Sequence, residues 1–297
     1  MKVFRMLLLV SFLLAACVQG PPATPISPTE VPWPTATAIS SPVPAPLDFS
    51  PILYRRSLSR YFEFQLIGGV QNERWLSADE ITEYVQPGQA YDIYALDGFA
   101  GEASLVDYGF FMEPSVCGVY YLGSDFDLDV PGLIGVARDW NVTSRPSQDL
   151  PVDTPVYQQA VENWLVSQGL SGPDVRITRV LRVDIEGDDV DEVFINASRF
   201  LDETGHSTEA GDYSFLLMRK VAGDSVVTVP VVADVYDSPT PELTFPFTYS
   251  LVNVLDLNGD GILEVMIEVI RWEGEGVMIY QVDGVSVTQA LMSVCAE

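Results

Sequence analysis

Two acidic runs of nine residues, 72 positions apart, constrain this chain more than any other feature in it. Asp256-Leu257-Asn258-Gly259-Asp260-Gly261-Ile262-Leu263-Glu264 places an oxygen-bearing side chain at every second position and closes on Glu264. Gly261 stands where a tight loop needs positive φ. Apolar runs of strand character flank it, at 249–255 and 265–270. Asp184-Ile185-Glu186-Gly187-Asp188-Asp189-Val190-Asp191-Glu192 aligns with it without a gap. The flanks align too: Val183 with Leu255, and Val193-Phe194-Ile195 with Val265-Met266-Ile267. Alternating hard oxygens in a short loop suit calcium, which takes roughly six to eight of them in flexible geometry.

Each loop sits in the same series of strand-like runs. The first copy predicts strands at 175–183, 193–197, 213–221 and 226–232, with a polar excursion through Ser207 and a turn at Gly223-Asp224. The second, tighter copy predicts strands at 249–255, 265–272, 276–282 and 285–291, with a turn at Asp283-Gly284. Asp-Gly between apolar runs signals a hairpin. Each copy is thus a unit of about four antiparallel strands, the size of one propeller blade.

Upstream, residues 47–150 read as a small β-domain with strands at 61–67, 91–96, 104–112, 118–122 and 132–138. The first of these ends at Gly68-Gly69, and Ser77-x-x-Glu80 forms a capping box that opens a short helix closed by Pro87-Gly88. A second helix is predicted over 155–168, capped by Thr154, begun by Pro155 and ended by Gly169. Its Tyr157, Ala160, Val161, Trp164 and Leu165 share one face, which reads as core packing. This helix joins the β-domain to the repeats within 151–297. The fold class expected is mainly β, a β-rich α+β chain. Asp125-Phe126-Asp127-Leu128-Asp129 also alternates carboxylates, but it lacks the glycine and runs into Pro131, so it reads as a solvated acidic turn.

The N-terminus carries an export signature. Lys2 and Arg5 precede an apolar core at 6–14, which is too short to span a bilayer. Leu14-Ala15-Ala16-Cys17 resembles the lipobox of bacterial lipoproteins. That resemblance implies cleavage after residue 16 and a lipidated Cys17, hence a membrane anchor in the cell envelope. Removing residues 1–16 takes two positive charges and moves the net charge from −27 to −29. Such a surface excludes nucleic-acid binding through bulk charge. The stretch 17–46 is a stalk: nine of residues 18–46 are proline and seven are Ser or Thr, a composition that stays extended. Two cysteines remain, Cys117 and Cys295; an exported chain can bridge them, the alternative being two buried thiols.

The loop-plus-strand units resemble the FG-GAP or VCBS-type repeat, the calcium-loop blade of integrin α-subunit propellers. The similarity covers residues 174–295. It implies calcium ligation at alternate loop positions, the seventh through its backbone carbonyl. In the second loop these are Asp256, Asn258, Asp260, Ile262 and Glu264. In the first they are Asp184, Glu186, Asp188, Val190 and Glu192, with Asp189 in the glycine's place and six carboxylates in nine residues. Two units cannot close a propeller, which takes about four to eight blades, so the N-terminal β-region is expected to complete their core.

Catalytic constellations are sparse. His206 is the one histidine, no Gly-x-Ser-x-Gly elbow is present, and Gly223-Asp224-Ser225 falls at a hairpin turn. The sequence points away from catalysis. The expectation is a surface lipoprotein whose calcium-binding β-repeats form a binding, adhesion or structural module for an extracellular protein or glycan. The alternative is an exported hydrolase or accessory protein acting on polysaccharide or cell wall through a carboxylate pair.

Overall fold

Several strands are buried along most of their length, on both faces, because layers cover them from either side. The structure, a computed structural model, describes residues 49–55, 63–106, 118–127, 130, 132–202, 205–272 and 274–296. Cys17, the stalk, Cys117 and most of the strand predicted at 104–112 beyond Val106 lie outside these. The chain is mainly β, built of antiparallel sheets, as its patterning predicts.

The first seven strands are β1 (Phe49–Arg55), β2 (Glu63–Gln71), β3 (Arg74–Ser77), β4 (Ala90–Ala95), β5 (Gly98–Val106), β6 (Tyr120–Ser124) and β7 (Leu133–Ala137). They run in the order β1-β7-β4-β5-β6-β2-β3, and β1 pairs back onto β2. Six strands therefore close into a barrel with β3 appended. Leu53, Phe64, Leu66, Tyr91, Ile93, Leu122 and Leu133 belong to its core. Contrary to expectation, β2 does not stop at Gly68-Gly69. It continues to Gln71 and turns through Asn72 and Glu73, both at positive φ, into β3. A Cβ on Gly68 would lie 2.3 Å from the Leu76 carbonyl oxygen, and one on Gly69 2.8 Å from that of Ser50. These glycines admit close strand approach; they are not breakers. Helix α1 (Ala78–Ile81) follows, its capping box closed by the Ser77 amide donating to the Glu80 carboxylate at 2.8 Å.

The first repeat forms a five-stranded sheet. Four strands match the predicted ones: β9 (Ile177–Val183), β10 (Glu192–Arg199), β11 (Tyr213–Ala222) and β12 (Ser225–Val235). The fifth, β8 (Ser147–Leu150), pairs with β9 at one edge and was not foreseen, because Ser-Gln-Asp-Leu carries no β signal. Helix α2 (Pro155–Ser167) occupies the predicted span with Pro155 in its first turn. The Thr154 hydroxyl donates to the Pro151 carbonyl instead of capping the helix.

The second repeat is a four-stranded sheet in chain order: β13 (Thr248–Leu255), β14 (Glu264–Arg271), β15 (Gly274–Asp283) and β16 (Ser286–Ala296). Its last hairpin is closed by the Asp283–Ser286 pair, so Gly284 and Val285 are the turn residues. Glycine leads the turn at positive φ, the II′ pattern, one residue later than the Asp-Gly reading placed it.

The layers stack in series. Val161, Leu165, Tyr157 and Trp164 of α2 cover one face of the five-stranded sheet beside Val180, Ile195 and Phe215. The opposite face, with Leu181, Val183, Phe194 and Met218, packs on Val265, Ile267 and Met278 of the four-stranded sheet. That sheet's other face, with Leu255, Met266, Val277 and Ile279, packs on Ile52, Ile67, Ile134 and Val136 from the outside of the barrel. Aligned residues point the same way along the stack: Phe194 meets the next sheet, and its counterpart Met266 meets the barrel. The two sheets are thus stacked in the same sense, with the barrel as the next layer.

The edge of β13 is covered by side chains. Asn196 acts as a surrogate peptide, donating to the Tyr249 carbonyl at 3.0 Å and accepting from the Leu251 amide at 2.6 Å. Ser214 accepts from the Tyr249 amide at 2.8 Å, and Asn253 donates to Gly132 at 3.0 Å. Every edge group satisfied in this way is closed to pairing with another chain.

Candidate metal centre

Both acidic loops sit at the same end of their sheets, and they touch. The Leu263 amide donates to the Ile185 carbonyl at 2.9 Å. Each loop plugs the next layer with its second residue: Ile185 lies in the core between the two sheets and Leu257 in the core against the barrel. The Leu257 carbonyl accepts from the indole of Trp140 at 2.9 Å, in the position where Ile185 accepts from the neighbouring repeat.

The loop backbones match. Gly187 and Asp189 turn left-handed at φ 74° and 65°, and Gly259 and Gly261 at 82° and 89°. In both, the closing glutamate accepts the amide of the second residue: Glu192 from Ile185 at 3.0 Å and Glu264 from Leu257 at 2.7 Å. In both, the opening aspartate accepts amides across the loop. Asp256 takes those of Gly259 and Gly261, and Asp184 those of Gly187, Asp188 and Asp189.

Charge balance separates them. In the second loop Asp256 is 1% exposed and Glu264 2%. Burial, with the nearby Asp260 and Asp256 charges, pushes the Glu264 carboxyl up to about 8, against the amide bonds that lower it. Burial also raises Asp256, helped by Asp260 and opposed by the Gly259 and Gly261 amides and by Arg145. Among the described residues no Lys or Arg forms an ion pair with Asp256, Asp260 or Glu264. In the first loop the Lys220 ammonium stands 2.7 Å from Glu186 and 3.7 Å from Glu192, and Arg182 pairs with Asp191 at 3.2 Å. Burial still lifts Glu192 above its usual range. Asp184 ends below its own, because amide bonds and the Arg145 charge together outweigh its burial.

Arg145 serves both loops. Its guanidinium donates to the Ile185 carbonyl at 2.7 Å and to the Gly261 carbonyl at 2.6 Å. The adjoining segment adds a bridge from Thr143, whose carbonyl accepts the Asp256 amide at 3.0 Å. Nothing in the sequence around Trp140, Thr143 and Arg145 marks them. Lys220 did carry a signal, being the only lysine after position 2.

The donors of the second loop are all hard oxygens: Asp256, Asn258, Asp260, Glu264 and the carbonyl of Ile262. That set fits calcium and suits neither zinc nor copper. Their side chains are turned onto the loop's own amides, as where Asp260 accepts from Ile262 at 2.8 Å. Among the described residues no three His, Cys, Asp or Glu side chains draw together as a metal cluster.

Elsewhere His206, Ser225 and Asp125 make local contacts. His206 packs edge-on against Trp272 and Phe245, at ring distances of 4.3 and 5.7 Å. The Ser225 hydroxyl donates to Ala222 across its own turn. The Asp125 carboxylate accepts the Ser104 amide at 2.6 Å. Cys295, near the end of β16, is disulfide-bonded. No described helix is long and apolar enough to cross a membrane. Comparison of the chain with protein-family models, with curated proteins and with solved structures gives no match.

Proposed function

We propose that this chain is an exported, lipid-anchored envelope protein in which the loop at 256–264 holds a structural calcium ion. The ion would lock a stack of β-layers that presents a binding or structural surface to an extracellular protein or glycan. One observation carries the reading: Asp256 and Glu264 are buried at the two ends of that loop with no basic side chain paired to them among the described residues. Buried charge of this kind costs several kcal/mol per ion unless a counter-ion answers it. Calcium would answer it through Asp256, Asn258, Asp260, the Ile262 carbonyl and Glu264.

The site's position supports a structural role. It lies where the two repeats and the segment leading from the barrel converge, at Leu263, Ile185, Trp140 and Arg145. The Cys295 disulfide supports an oxidising compartment, and Cys117 is the partner this reading assigns to it. The lipobox-like run ending at Cys17 and the proline-rich stalk support anchoring.

Thermal melting with calcium and with a chelator tests the proposal. At a hundredfold excess over Kd, calcium adds about 2.7 kcal/mol, a rise of about 5–10 °C for a domain of this size. Asp260→Ala should remove most of that rise. Equal melting temperatures in calcium and chelator would sink the calcium site.

A further inference from the structure

We propose that Lys220 is the built-in cation of the first loop, so that this half of the repeat pair needs no metal. The two loops have the same spacing, the same left-handed positions and the same closing glutamate. One difference on the neighbouring strand bears on the charge of the loop. Val193 faces Arg219, and its counterpart Val265 faces Tyr280. Lys220 therefore corresponds to Gln281, a neutral residue.

Lys220 lies on the face of β11 that carries Leu216 and Met218, turned toward the next sheet. Its side chain is 7% exposed and reaches the loop from beneath. Its ammonium contacts the carboxylates of Glu186 and Glu192, two members of the first loop's expected ligand set. A calcium ion held by those residues would stand within about 4 Å of a fixed positive charge. At that separation the repulsion weakens affinity on the order of a hundredfold or more. The remaining inward acid, Asp184, is held by three loop amides and lies within the field of Arg145. Arg182 takes Asp191. Every carboxylate of the first loop that is not fully solvated thus has a protein partner. The ligand set there does not fit a divalent ion.

The inference rests on the calcium proposal only for its reference arm. Isothermal titration and terbium luminescence on the mature full chain should count one ion, and Asp260→Ala should abolish it. Zero ions in the unaltered chain would reject the calcium proposal while leaving the next arm readable. Lys220→Gln should open the first loop. Its metal-free melting temperature should fall, and it should take one ion more than its parent, with calcium recovering the lost stability. Lys220→Arg, which keeps the charge, should behave as the parent. Two ions in the unaltered chain, or one that survives Asp260→Ala and is lost in Asp188→Ala, would overturn the inference. So would a Lys220→Gln chain that melts as its parent does and gains no ion. If Lys220→Gln does not fold, the Lys220→Arg chain and the parent decide the matter by their ion count and its sensitivity to Asp260→Ala.

Discussion

In both loops the fourth and sixth residues turn left-handed, and the last glutamate accepts the amide of the second residue. The first loop holds six carboxylates in nine residues and the second only three. Counting acids would make the first the stronger cation site. Burial and partnership reverse that order. Backbone amides and the Arg145 charge act on the opening aspartate of both loops. Lys220 answers Glu186 and Glu192 in the first, whereas among the described residues no Lys or Arg forms an ion pair with the buried Glu264. Formal charge in a loop says little until each carboxylate's partner is known.

Acid and base should break the comparison most sharply. The folded-state Glu264 carboxyl near 8 stands above its ordinary 4.5. The metal-free fold therefore binds that proton more tightly than the unfolded chain does. Stability from this group is complete below pH 4.5 and is lost as pH rises through 8. Asp184, held low, behaves oppositely: its contribution is present at neutral pH and is lost as pH falls through its lowered value. In chelator at pH 9, Glu264→Gln should melt above its parent, by about 5 kcal/mol in stability. Below pH 4.5 the two should coincide, and calcium at pH 8 should reverse their order. Parallel melting curves from pH 5 to 9 would show that Glu264 is not the strained group.

Arg145 gives the next largest effect, because it is where the two loops stop being independent. Arg145→Met removes donors from the Ile185 and Gly261 carbonyls, about 2 kcal/mol for charge-assisted bonds to partly buried acceptors. Hydrogen exchange at the Gly187 and Gly261 amides should quicken together. Faster exchange in one loop alone would mean that the clamp serves only that loop.

Much of this fold was legible because periodicity and glycine placement report local geometry. The apolar runs around the loops marked eight strands, and the gapless alignment of the two loops agrees with their matching backbones. What escaped depends on distant partners. Gly68-Gly69 resembled a strand end, but the pair is there because β3 and β1 approach within contact of the missing side chains. Ser147–Leu150 becomes a strand only because β9 offers it an edge. Lys220 lies 28 residues beyond the loop's closing glutamate, and only the β10–β11 pairing brings it back. A rare residue type in an acidic chain was the single hint, and composition could not say which carboxylates it would meet.

The smallest effect concerns the sixth loop position, where the copies differ in backbone chemistry. Gly261 stands at φ 89° with nothing within 4 Å of where a Cβ would lie, so Gly261→Ala has no steric component. Its cost is the left-handed backbone alone, about 1 kcal/mol. Asp189 already bears that strain at φ 65°, although its side chain suits the region better than most. Asp189→Gly relieves the strain and removes one of six crowded acids, against the greater freedom glycine gives the unfolded chain. The net should be a gain of less than about 1 kcal/mol. Urea denaturation in chelator measures both substitutions on one scale. Opposite signs would show that the loops are one structure built from different residues. A loss at both positions would mean that the Asp189 carboxylate holds its loop together, through contacts that glycine at 261 never needed.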